Sequence, residues 1–78
     1  MRFSRHARNN MRLYKISESD IMETIESPDS ADREMNKRTS LKGFSNRFSG
    51  YPLKVVYDII EGEIMVITAY PLKRKRWR

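Results

Sequence analysis

The chain has 78 residues, with 16 lysines and arginines against 10 aspartates and glutamates, a net charge of +6 and a pI near 10.0. A chain this short forms one domain, near the lower limit at which enough surface is buried for independent folding. It contains no cysteine and one histidine, which excludes a disulfide framework, thiolate zinc and a histidine-based metal cluster.

The charge argues for an anionic partner. Nucleic acid is the commonest, with an acidic protein or an anionic membrane surface as rivals. No stretch approaches the roughly 20 apolar residues needed to cross a bilayer. Met1-Arg2-Phe3 leads straight into polar sequence without a secretory apolar core, so the cytoplasm is the expected address.

Ser4–Lys15 is predicted to be a helix with Ser4 as N-cap. Phe3, Ala7, Met11 and Tyr14 form one apolar stripe at helical spacing. Arg5, Arg8, Arg12 and Lys15 share another face, the simplest reading of which is a solvated surface and the functional reading an RNA contact. His6 lies on the opposite flank from most of the arginines, beside Asn10 and Leu13. A second helix starts at Ser17, with Asp20 completing a capping box and Ile16 placed to staple onto Ile21. Ile21, Met22 and Ile25 are its expected buried face, and Pro28 marks the stop.

Pro28–Ser40 is polar and reads as a loop. Leu41, Phe44 and Phe48 recur in a weaker strand pattern interrupted by Gly43 and ended by Gly50. Tyr51–Tyr70 then carries the dense β-branched runs Val55-Val56-Tyr57 and Met65-Val66-Ile67-Thr68, separated by Glu61-Gly62. This predicts an antiparallel hairpin. With a two-residue loop, Val55 faces Thr68. With Glu61, Gly62 and Glu63 as the loop, Lys54 faces Tyr70 and Val56 faces Thr68. The second register is preferred because it gives one apolar face of Leu53, Val55, Tyr57 and Ile59 with Met65, Ile67 and Ala69. Residues 1–71 make the domain and 72–78 a basic tail, in which Lys73, Arg74 and Arg76 offer phosphate contacts. Trp77 either stacks on an unpaired base or folds back on the sheet.

Helix, helix, then antiparallel strands predicts an α+β domain, with both helices on one face of a small antiparallel sheet. The His-Ala-Arg at His6–Arg8, the Ile-Ser-x-x-Asp-Ile at Ile16–Ile21 ending at Pro28-Asp29, and the closing Leu53–Tyr57 and Val66–Tyr70 strands resemble a family of small bacterial domains of unknown function. That family is placed near the RelE-like and BrnT-like toxins, in the barnase–EndoU–colicin–RelE group of metal-independent ribonucleases. The resemblance implies a RelE-like fold with His6 as general acid/base, Arg8 as phosphate ligand and Thr68 as the active-site residue on the last strand, where its hydroxyl chemistry suits a positioning role. It also implies a cleft shared by His6, Thr68 and an arginine. The expected function is RNA binding with metal-independent endoribonuclease activity of the toxin type, leaving a 2′,3′-cyclic phosphate. Neither metal nor cofactor is expected, and an acidic antitoxin is the implied protein partner.

The chemistry of the residues is compatible with this. RNA cleavage without a metal needs a base for the 2′-hydroxyl, an acid for the leaving oxygen and donors for the phosphorane charge. Imidazole titrates in the useful range, and guanidinium groups fork onto phosphate. With one histidine, the second proton-transfer group has to come from Tyr70, Tyr57, Lys54 or a carboxylate. Arg5, Arg12, Lys15, Lys54 and Tyr70 complete the expected RNA surface. The alternative is a non-catalytic nucleic-acid- or protein-binding module on the same fold, with His6 merely structural.

Overall fold

The computed structural model describes residues 1–73. Ser4 starts the first helix, α1 (Arg5–Tyr14), and fastens it to the sheet. Its hydroxyl accepts the Ala7 N–H at 3.0 Å and donates to the Ile67 carbonyl at 2.6 Å. Its own N–H donates to the Val66 carbonyl at 2.9 Å. Lys15 ends the helix in the left-handed region, with φ 58°. The second helix, α2 (Glu18–Glu26), opens on the expected capping box: Ser17 Oγ accepts the Asp20 N–H at 3.0 Å, and Asp20 Oδ2 accepts the Ser17 N–H at 2.9 Å. Ile16 and Ile21 are buried, whereas Met22 and Ile25 are half-buried. Thr24 completes the inward face.

Five strands follow the order β1-β5-β4-β3-β2, where β1 is Arg2–Phe3, β2 Ser30–Glu34, β3 Lys37–Lys42, β4 Leu53–Ile60 and β5 Glu63–Pro71. The fold is α+β, as expected, but the sheet is mixed, because β1 runs parallel to β5 while the other pairs are antiparallel. The expected loop Pro28–Ser40 instead contains β2 and most of β3, reversing at Met35-Asn36. β2 is exposed along its whole length, so it carries no apolar alternation; its pairing with β3 alone defines it. Leu41 lies in β3. Phe44 and Phe48 belong to the loop after it, stacked edge-to-face at 5.6 Å, so that part of the expected strand pattern is an aromatic loop cluster.

The β4–β5 hairpin uses both registers. Glu61 and Gly62 form a two-residue turn with φ of 52° and 77°, the left-handed pair that matches strand twist. Ile60 therefore faces Glu63, and Tyr57 faces Val66. Beyond a bulge, Val56 faces Thr68 and Lys54 faces Tyr70. Ile67 is the extra residue that reconciles the two halves. The bulge changes the buried face: Leu53, Val55 and Ala69 lie in the core as expected, but Val66 is fully buried where Met65 and Ile67 were expected. Ala7 and Ile21 from the helices and Ile16 from the link between them pack onto that face, and Ile64 and Tyr57 join its margin.

Candidate nucleic-acid interface

Because Ala7 is buried and Met11 and Tyr14 are half-buried, the orientation of α1 about its axis is fixed. His6, Asn10 and Leu13 fall on one flank, and Arg5, Arg8, Arg12 and Lys15 on the other. Two residues apart on a helix means about 200° around the axis, so His6 and Arg8 point in opposite directions. Arg8 lies over the Phe3 ring at 5.1 Å. The expected cleft of His6, Thr68 and at least one arginine therefore cannot draw its arginine from Arg8 on this helix.

The His6 flank does meet the last strand. Asn10, one turn after His6, donates through Nδ2 to Thr68 Oγ1 at 3.3 Å. His6 is exposed. Thr68 and Tyr70 share the sheet face turned away from the core, with Lys54 as the partner of Tyr70. Lys54 Nζ stands 5.7 Å from the centre of the Tyr70 ring. The structure thus places Thr68, Tyr70 and Lys54 on one sheet face, with Asn10 bonded to Thr68. Asn10 is the member that sequence reading missed; its position four residues after His6 was the available signal. Lys73 is exposed at the end of the described chain. Arg74, Arg76 and Trp77 lie outside the described residues.

Among the described residues three ion pairs form: Arg47 with Asp20, Lys42 with Glu23, and the chain's amino group with Glu63. None involves the cations of α1. No three His, Cys, Asp or Glu side chains among the described residues come together to hold a metal ion. Among them too, no helix is long and apolar enough to cross a membrane.

Residues 3–71 match the family described as Domain of unknown function (DUF4258). The chain belongs to that family. The match takes in α1, the seam with β5 and all of the sheet but Arg2, so every described candidate residue except Lys73 lies inside the DUF4258 domain. No curated protein and no solved structure matches the chain.

Proposed function

We propose that this DUF4258 protein binds single-stranded RNA through the cation stripe of α1. The observation that carries the reading is positive charge that no described carboxylate pairs with. Arg5, Arg8, Arg12 and Lys15 have no carboxylate within 4.0 Å among the described residues. The first turn of α1 contains no acid, and Arg5 and Arg8 stand near the positive end of the helix dipole. Cations there cost about 0.3–1 kcal/mol each. An anionic ligand turns this local cost into affinity, and guanidinium forks suit phosphate oxygens. Lys54 beside Tyr70 adds a cation and an aromatic plane on which an unpaired base stacks. Replacing Arg5, Arg8 and Arg12 together with Gln tests the reading by fluorescence anisotropy on a labelled oligoribonucleotide. Affinity falls by about tenfold or more at low salt, while circular dichroism stays that of the wild type. Unchanged affinity overturns it.

A second reading, metal-independent cleavage in the manner of RelE-like and BrnT-like toxins, is favoured by one observation. His6 shares its flank with the Asn10–Thr68 hydrogen bond, which supplies the seam such a site needs. His6 then moves the proton, Thr68 positions the ribose or phosphate, and Tyr70 or Lys54 is the second proton-transfer group. An acidic antitoxin would cover the α1 stripe. Under this reading wild-type protein leaves a 2′,3′-cyclic phosphate, and His6→Ala loses cleavage while keeping affinity within a few fold. Equal cleavage by both proteins, or by neither, removes His6 catalysis and leaves RNA binding as the function.

A further inference from the structure

Like charges stand side by side at the far end of the helix-side sheet face. Arg33 on β2 and Arg38 on β3 are direct cross-strand partners, and Arg38 is in turn the partner of Tyr57 on β4. Ala31 and Ser40, two residues along the same strands, share that face, and Ser40 is buried. The row borders an open hollow of about 490 Å³. No residue of either helix lines it.

Directly opposed like charges destabilise a strand pair, so this pairing is a cost unless something anionic offsets it. Among the described residues no carboxylate pairs with either arginine: neither guanidinium lies within 4.0 Å of one. The adjacent Asp32, which also borders the hollow, accepts the backbone N–H of Arg33 at 2.8 Å through Oδ1, and its charge stands beside the site without pairing with either guanidinium. Two guanidinium groups present ten N–H donors between them, in forks that match phosphate oxygens. Their charge also matches a terminal phosphate, which carries about −1.5 to −2 at neutral pH, better than it matches a single carboxylate. The half-exposed Tyr57 at the end of the row supplies a ring face, and the hollow lies within the size range of small-molecule sites.

We propose that the Arg33–Arg38–Tyr57 hollow binds a terminal phosphate monoester of nucleotide size, with the phosphate on the two arginines and the base against Tyr57. The site uses no residue of α1, so its fate and that of the RNA-binding stripe are independent. Free 5′-nucleotides and the 5′-phosphorylated end of an RNA share this chemistry.

The test is an NMR titration of the full chain with adenosine 5′-monophosphate, inorganic phosphate and adenosine. The nucleotide shifts resonances of Arg33, Arg38 and Tyr57 to saturation, inorganic phosphate shifts the arginines more weakly, and adenosine alone leaves them in place. Arg33→Gln and Arg38→Gln each weaken nucleotide binding by about tenfold, and Arg33→Lys, which keeps the charge but loses the fork, weakens it less. Tyr57→Leu brings the nucleotide down towards inorganic phosphate. A readout free of ligand accompanies these: Arg33→Gln raises the melting temperature by about 1–8 °C, because the cross-strand repulsion is gone. A 5′-phosphorylated oligoribonucleotide that binds more tightly than its 5′-hydroxyl form and than the mononucleotide places the phosphate on an RNA end. Equal affinities for the phosphorylated oligomer and the mononucleotide place it on a free nucleotide. Shifts that never saturate, affinity unchanged in both Gln variants, or a lower melting temperature in Arg33→Gln would overturn the proposal.

Discussion

Asp20 has the most demanding surroundings of any single residue in the described chain. Only 5 % exposed, it closes the capping box of α2 and also accepts both arms of the Arg47 guanidinium, at 2.6 and 2.5 Å. Arg47 lies over the rings of Phe44 and Phe48, at 5.6 and 4.8 Å from their centres, so one carboxylate organises a helix start and an aromatic loop together. Burial pushes the Asp20 carboxyl up, but the Arg47 fork and the Ser17 bonds outweigh it and hold the group below the usual aspartate value. A depressed folded-state value means that the carboxylate contributes fully at neutral pH. Its contribution starts to fade as pH drops below the unfolded-state value near 3.8 and is lost through the lower folded one. Asp20→Asn therefore lowers stability at pH 7 by about 1–3 kcal/mol and flattens the acid limb of the stability profile, measured by urea melts from pH 7 to pH 2. A parallel offset between the two profiles at all pH values would contradict this account.

The element that redistributes the core is the bulge in β5. Val66 is fully buried and Ile67 half-buried, so Val66→Ala costs about 2–3 kcal/mol and Ile67→Ala less, despite the larger truncation in the second variant. The reverse order in chemical denaturation would place the bulge elsewhere. Both helices were legible in the sequence because Ser4, Ser17 and Asp20 carry their start signals locally. The β4–β5 hairpin was legible because β-branched runs flank Glu61-Gly62. The bulge was not, since the uninterrupted three-residue-loop register already gave one apolar face, and only the burial of Val66 requires both registers. β2 was hidden for a different reason: an edge strand exposed on all five residues has nothing to alternate. With β2 unread, the cross-strand placement of Arg33 beside Arg38 was invisible too. Of the candidate site, Thr68, Tyr70 and Lys54 were placed on one face by the preferred register, and the open half of the hairpin has that register. The separation of His6 from Arg8 was already implicit in helical spacing.

At the scale of the whole molecule, one layer of helices on one sheet gives a slab of 35 × 25 × 17 Å. Two layers leave most of the far sheet face uncovered; that face carries Lys54, Tyr70 and Thr68, the last reached by Asn10 of α1. The cations of α1 stand on the helix that packs against β5 and β1, and the Arg33–Arg38 pair sits in β2 and β3 at the other end of the sheet order, β1-β5-β4-β3-β2. Charge is thus spread over separate surfaces instead of being cancelled in ion pairs, which suits association with a polyanion more than a structural role. The central claim, RNA binding through the α1 stripe, is tested most directly by the salt dependence of affinity for a single-stranded oligoribonucleotide. Four neutralised phosphates contribute about −3 to the slope of log K against log salt. The wild-type protein shows a slope at least that steep, and replacing Arg5, Arg8 and Arg12 with Gln reduces its magnitude by about 2. A flat dependence, or a slope that the triple replacement leaves unchanged, would contradict the account.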